Sequence, residues 1–366
     1  MRLWVPIEHA AVATVLALAL LVFPGSVAAK PRALYWGAWI GPQITGEEAP
    51  WDMEAAYRFE RAVRKGLSLL EFSAPFAKCE SQCVFYTFPT TEMGKIRRHG
   101  AIPLFSWNSG SSGGDHGEFQ LSDLRSGRYD PYIRAFASQA KAWGHPFFLR
   151  FNWEMNGNWF PWGAATNGNQ YGEFKLAWRH VWRIFQQVGA TNATWVWCPY
   201  VGDEPLAPYY PGARYVDWTC LDGYNWGPDS PAQAPWRSFD EIFGGAYRRI
   251  AGHIAPGKPM MLAELASDDT GGDKAAWIRD MFDSLRLGYP KVAGLVWFDK
   301  FDQGIDWPIE ISPIASAVFA HGVRSGPFRG NVYSRLRRTP IPPPGRLSGE
   351  APPGVVLRAG PLASGR

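Results

Sequence analysis

An arginine, an asparagine and a glutamate interrupt one of the most aromatic stretches of this 366-residue chain, Phe147-Phe-Leu-Arg-Phe-Asn-Trp-Glu-Met-Asn-Gly-Asn-Trp-Phe-Pro-Trp162. Its first half reads as a buried strand and its second as a turn rich in Gly, Asn and Pro. Alternation along a strand that reaches Glu154 puts Arg150, Asn152 and Glu154 on one face and Leu149, Phe151 and Trp153 on the other. Three polar groups in a core need partners or a task, since each costs several kcal/mol unpaired. Arg150 and Glu154 could form a buried ion pair. Alternatively their face opens into an active site, and Trp159 and Trp162 just beyond favour this, because an ion pair needs no aromatic rim. A second carboxylate, Glu264, closes the apolar run Lys258-Pro-Met-Met-Leu-Ala-Glu264. Two carboxylates at a site floored with aromatics suit hydrolysis of a glycosidic bond: one protonates the departing sugar oxygen, and the other attacks or activates water. A separation of about 5–5.5 Å gives a covalent intermediate and retention, and about 6.5–9.5 Å gives inversion.

The elements that must position these groups alternate. Strands are expected at 34–40, 67–72, 101–107, 147–154, 194–198, 218–224, 259–264 and 292–298. Helices are expected at 51–65 (with Gly66 as its C-cap), before His99-Gly100, and at 131–143, 171–188, 239–253, 274–287 and 309–320. No helix is expected between the fifth and sixth strands, and Asn108–Gly117 reads as a Gly/Ser-rich loop. Eight strands with intervening helices imply an α/β fold, a (β/α)8 barrel forming a single catalytic domain over 30–323. A doubly wound open sheet is weaker, because no glycine-rich phosphate loop follows the first strand. Barrel function sits at the C-terminal ends of strands. Those ends carry Glu154, Glu264, Asp222-Gly-Tyr-Asn-Trp226 and Leu295-Val-Trp-Phe-Asp299.

The run from Arg150 to Trp162 resembles the signature of glycoside hydrolase family 26, β-mannanases and related β-glycanases, in which an arginine precedes His-Glu-Met-Asn-Gly and aromatics. The similarity extends to Asp222–Trp226, Ala263-Glu264 and Trp297. It implies a retaining endo-β-glycanase without cofactor or metal, acting on β-mannan, β-1,3-xylan, β-glucan or a matrix exopolysaccharide. By position, Glu154 resembles the general acid/base and Glu264 the nucleophile. Tyr224 would hydrogen-bond the nucleophile, Arg150 would brace the carboxylates, and Trp297 would be the sugar platform at the cleavage point. Trp153 stands where the family usually has histidine, which in mannanases lies close to the sugar, and Asn152 is a candidate to replace its hydrogen bond. A non-catalytic carbohydrate-binding barrel is the rival reading, and the presence of both glutamates and the tyrosine argues against it.

The remaining aromatics divide. Of Trp159, Trp162 and Trp226, two are expected to stack on substrate. Trp107, with Asn108, either lines distant subsites or caps the barrel. Trp36 and Trp39 lie on opposite faces of one strand, so at most one faces the site. Desolvation by Trp159 or Trp162 should raise the Glu154 pKa, while Tyr224 and Arg150 should hold Glu264 ionised. Asp299 and Asp302 read as solvated loop charges, and His116 is the one histidine kept under watch.

The ends differ from the body. Residues 1–29 have an N-terminal arginine, an apolar stretch at 10–23 and a small-residue cleavage site before Lys30, as in a secretory signal. An uncleaved anchor is the alternative, and nothing later is long and apolar enough to span a membrane. Residues 324–366 hold eight arginines and one glutamate among many prolines and glycines, and read as a disordered tail. That tail carries +7 while the whole chain carries +4, so the body sums to −3. Nucleic-acid binding by the body therefore loses its electrostatic support. A secreted monomer whose partner is a polysaccharide is expected. Cys79 and Cys83 should pair, whereas Cys198 and Cys220 could pair or stay buried thiols.

Overall fold

The computed structural model describes residues 32–347 apart from 114–116, 229, 231 and 232. The expected leader at 1–29, His116 and the chain beyond Leu347 lie outside the described residues. Eight parallel strands close into a barrel: β1 (Leu34–Ile40), β2 (Leu69–Cys79), β4 (Ile102–Ser112), β5 (Phe147–Phe151), β6 (Ala193–Trp197), β7 (Trp218–Asn225), β8 (Met260–Ser267) and β9 (Val292–Asp299). Each pairs with the next, and β1 closes the ring on β9 and β2. Closure brings the β1 backbone close to β2, and a Cβ at Gly37 would run into the Leu69 carbonyl. Only glycine fits there. A short strand, β3 (Cys83–Phe85), turns back antiparallel on β2.

Helices α1 (Met53–Val63), α2 (Thr90–His99), α3 (Leu121–Ser126), α4 (Asp130–Trp143), α5 (Glu173–Val188), α6 (Phe239–Arg249), α7 (Lys274–Leu287) and α8 (Pro313–Ser325) surround the barrel. Their apolar stripes face it. In α5 the buried residues Phe174, Ala177, Trp178, Val181, Ile184 and Phe185 repeat at helical spacing. None of the described helices is long and apolar enough to cross a membrane.

Several expected boundaries move for physical reasons. Helix α1 ends with Arg64 in the left-handed region (φ 58), not at Gly66. Gly66 instead lies against Asn331, whose side chain would have to move for any larger residue. The expected Gly/Ser-rich loop after Trp107 is strand as far as Ser112, paired with β2 up to Lys78. The expected strand to Glu154 stops at Phe151, since Asn152 (φ 45) and Glu154 (φ 53) are left-handed. Between β6 and β7 only a 3-10 turn, Ala207–Tyr209, interrupts the described loop.

The expected disordered tail also needs correction up to Leu347. Helix α8 runs past residue 323, and β10 (Phe328–Arg329) pairs with the start of β1. The segment then crosses the N-terminal mouth of the barrel. There the Tyr35 hydroxyl donates to the Pro342 carbonyl (2.8 Å), and the Trp218 indole donates to the Ile341 carbonyl (2.7 Å). The Ile341 amide donates to Thr194 Oγ1 (2.9 Å). Val332, Tyr333, Leu336 and Ile341 are buried. These apolar groups are few, but each covers an otherwise open barrel end.

Both cysteine pairs are disulfides, Cys79–Cys83 and Cys198–Cys220. The first staples the β2–β3 hairpin, and the second joins the end of β6 to β7.

Candidate active site

One guanidinium organises the C-terminal mouth. Arg150, fully buried on β5, reaches Glu71 on β2 (Nη2 to Oε1, 2.6 Å), Asp222 on β7 (Nη1 to Oδ2, 2.7 Å) and Glu264 on β8. Its Nε donates to the Ser106 hydroxyl on β4 (2.7 Å), which donates on to Glu71 Oε1 (2.7 Å). Five strands thus meet through one side chain, and the fork of donors fits because guanidinium is planar and always charged. The other Glu264 oxygen accepts from the Tyr224 hydroxyl.

Glu154 comes from a different kind of position. Its left-handed backbone follows β5, and its amide donates to the Cys198 carbonyl just past the end of β6 (2.7 Å). A non-glycine residue held this way costs about 1–3 kcal/mol, and the turn aims the carboxylate back over the barrel. The Trp159 indole N–H donates to Glu154 Oε2 at 2.6 Å, while Trp159 itself is 51% exposed.

Four buried carboxyls share one positive charge, so burial must keep protons on some of them. Burial first, then the negative charge of Glu264, pushes Glu154 up to about 8. Burial likewise takes Glu71 to about 8 against the pull of Arg150, and raises Asp222 well above its ordinary value. The Tyr224 phenol is also pushed well up, by burial and by Glu264, and stays a donor. The Trp159 hydrogen bond works in the other direction on Glu154, favouring the ionised form. The rise expected from desolvation is present, and the indole hydrogen bond opposes part of it.

An aromatic chain links the two glutamates. Tyr224 lies 5.5 Å from Trp226, whose indole donates to the Tyr200 hydroxyl (2.9 Å), and Tyr200 meets Trp159 edge to face at 5.1 Å. Trp153 caps the cluster, its ring 4.8 Å from the Arg150 guanidinium.

The structure thus brings Arg150, Trp153, Glu154, Trp159, Tyr224, Trp226 and Glu264 together, and places four other candidates elsewhere. Trp297 is fully buried on the outer face of β9 against Trp277 and Phe319 of the surrounding helices, so it cannot be a sugar platform. Its neighbour Phe298 faces inward instead, against Trp39 and Tyr224. Trp107 also points outward, stacked on Phe136 of α4 at 4.2 Å. Asn152 is spent on β4, accepting from the Ser109 amide and donating to its hydroxyl. Trp162 sits behind Trp153, donating to its carbonyl (2.6 Å) and stacking on Phe160. Asp299 is not a solvated loop charge but fully buried, accepting from the Ile309 amide.

Glu71, Ser106, Tyr200 and Trp307 were missed by sequence reasoning. Glu71 had the same signal that exposed Arg150, a single charge inside the apolar run Leu69-Leu-Glu-Phe72. The two described clusters of Cys and carboxylate close enough to share a metal consist of disulfide sulfurs and one acid each, which offer no thiolate.

Residues 128–257 match the model of glycosyl hydrolase family 26, a span that holds Arg150, Glu154 and Tyr224. That region belongs to the family. It is 36% identical over 251 residues to an Acetivibrio thermocellus protein named Endoglucanase H, covering 67% of this chain and 27% of that one. It is 32% identical over 155 residues to Mannan endo-1,4-beta-mannosidase A and B of Caldalkalibacillus mannanilyticus, covering 40% and 27%. The chain thus spans about a quarter of the length of these relatives. Among solved structures, a Cellulomonas fimi endo-beta-1,4-mannanase double mutant superposes with a TM-score of 0.60 at 17% identity, over 82% of this chain and 72% of that one. A family 26 β-mannanase from Bacteroides ovatus gives 0.58 at 14%, over 82% and 93%. These likenesses establish the barrel of the family.

Proposed function

We propose that this protein is a retaining endo-β-glycanase that cleaves a β-linked glucan through a covalent glycosyl-enzyme intermediate, without a cofactor. The observation that carries the reading is the contrast between its two glutamates. Glu154 is enclosed and holds its proton up to about pH 8, whereas Glu264 is gripped by Arg150 and Tyr224. Each bound oxygen of Glu264 keeps lone-pair capacity for attack.

In the first step Glu264 attacks the anomeric carbon while Glu154 gives its proton to the leaving oxygen. The glycosidic bond breaks and an ester to Glu264 forms. In the second, the Glu154 carboxylate takes a proton from water, the hydroxide adds to the anomeric carbon, and Glu264 leaves ionised. A pocket of about 320 Å3 beside Trp159, lined also by Gly110, Glu118, Asn158 and Asn167, offers room on the acid side for the leaving sugar.

Glucan is favoured over mannan on two grounds. Trp153 covers Arg150 where mannanases carry histidine, so the imidazole beside the sugar is gone. The 36% identical relative is named an endoglucanase. Work outside the cytoplasm is supported by the two disulfides.

Reducing-sugar release by the full chain from mixed-linkage β-glucan, β-mannan, β-1,3-xylan and an anionic exopolysaccharide tests the proposal, with Glu264→Ala alongside. Release from β-glucan, lost in the variant, is expected. Release from another polymer alone would overturn the glucan assignment. Binding of a polymer by both proteins with no release would make this a carbohydrate-binding barrel.

A further inference from the structure

Lys274, the first residue of α7, is almost fully buried at a helix N-terminus, where the dipole and desolvation both oppose its charge. Burial pushes its ammonium down to about 8, against the pull of Asp269, Asp299, Asp268 and Asp306. Its three hydrogen-bond partners are consecutive main-chain carbonyls: Asp306 (2.6 Å), Trp307 (3.3 Å) and Pro308 (2.9 Å). An ammonium has three donors and no acceptor, so it matches this row of oxygens as a neutral side chain cannot.

Two neighbours pin the same loop. The Trp297 indole donates to the Trp307 carbonyl (3.1 Å), and Asp299 Oδ1 accepts from the Ile309 amide (2.9 Å). What the loop presents to the barrel is the Trp307 ring, 5.0 Å from Tyr224 and 5.1 Å, edge to face, from Trp226. Tyr224 in turn donates to Glu264.

We propose that Lys274 is a positioning residue: by gathering the 306–308 carbonyls it holds Trp307 against Tyr224, and so aligns the carboxylate that Tyr224 binds. The role rests on Glu264 being the nucleophile of the proposed reaction. It also gives Trp297 a task, as a second tether behind the site. Without the ammonium the Asp306 and Pro308 carbonyls lose this donor and the Trp307 carbonyl keeps only the Trp297 indole, so the loop shifts and Tyr224 loses its backing.

The test uses the full chain in wild-type, Lys274→Met and Trp297→Phe forms. Tryptophan is replaced by 5-fluorotryptophan, and the Trp307 fluorine resonance is assigned with Trp307→Phe. The resonance is expected to shift or broaden strongly in Lys274→Met and less in Trp297→Phe. An unmoved resonance overturns the proposal whether or not the protein is a hydrolase. Kinetics on the cleaved glucan and on aryl β-glucosides supplies the second readout. Lys274→Met should lose about 10- to 100-fold in kcat with KM little changed. The loss should be equal for good and poor leaving groups, because nucleophile alignment serves both. A lower Tm with unchanged kcat, or a loss confined to poor leaving groups, would overturn the role. If Lys274→Met does not fold, Trp297→Phe carries both readouts with a smaller expected change. An inactive wild type would count against the hydrolase reading alone, since the fluorine spectrum still decides where Trp307 sits.

Discussion

At the C-terminal mouth of the barrel one guanidinium is shared among three buried carboxylates with a fourth nearby, whereas the N-terminal mouth is closed by neutral hydrogen bonds from Tyr35 and Trp218 to a crossing segment and from that segment to Thr194. Both ends hide polar groups from water, and both satisfy most of them. They differ in what the satisfaction costs. A hydroxyl on a carbonyl is a settled pair that contributes about 1 kcal/mol. Four acids around one base cannot all be ionised at once, so that end stores a proton whose position depends on pH and on what enters the site. The closing contacts lie at one mouth and the proposed chemistry at the other, as barrels divide their labour.

The largest effect should follow from removing the neutral end. A chain truncated after Val323 loses the buried residues Val332, Tyr333, Leu336 and Ile341 together with the three hydrogen bonds. At about 1.5–3 kcal/mol for each large apolar side chain, this approaches the whole stability of a domain. Far-UV and near-UV circular dichroism should show an unfolded or aggregated product. A truncated protein with the wild-type melting curve would mean that the closing segment is dispensable.

The charged end should respond through catalysis. Glu154→Gln should lose about 100- to 10,000-fold in kcat on polymer, with a smaller loss on aryl glycosides whose leaving group needs no proton. As the proposed acid Glu154 works only while protonated, and burial raises it to about 8. Activity should therefore hold at neutral pH and fall as pH rises through about 8. Trp159→Phe removes a donor that favours the ionised form, so this alkaline limb should move upward. A limb that stays in place would show that Glu154 does not set it.

Stability should carry the same signature at one mouth only. Glu71 is raised from about 4.5 to about 8 by burial. The folded state thus binds more protons than the unfolded one between those values, and stability falls as pH climbs through the window. Glu71→Gln keeps the shape and removes the titration, so its Tm should vary less than wild type between pH 5 and 9. At the neutral mouth Tyr35→Phe should cost about 1 kcal/mol, an effect independent of pH in this range, with kcat unchanged. Equal pH dependence in both variants would erase the contrast.

How far the sequence reveals this division depends on the residue. Arg150, Glu154 and Glu264 were legible because a lone charge in an apolar run needs a reason. Asn152 and Glu154 were assigned to one strand face by alternation, and that step failed: Glu154 reaches the site through a left-handed turn that no pleat describes. Trp297 and Phe298 are adjacent aromatics on one strand, so a phase error of one residue exchanges platform for core, and nothing local reveals the phase. Trp107 was ambiguous for the same reason. The closing segment was hidden by composition, because the prolines and arginines of residues 324–347 outweigh the apolar residues Val332, Tyr333, Leu336 and Ile341, whose value lies in where they land. Glu71 was readable and was passed over, although the expected strand 67–72 put it one residue from the end where function was sought; the observed strand runs on to Cys79.

The most direct test of the two-carboxylate account is the configuration of the newly formed reducing end. Proton NMR during the first turnovers of wild-type protein on mixed-linkage β-glucan separates the anomers before mutarotation mixes them. The account predicts that the β-anomer appears first and the α-anomer grows in later, as a covalent ester on Glu264 requires. Early accumulation of the α-anomer would contradict it, making Glu264 a base that activates water.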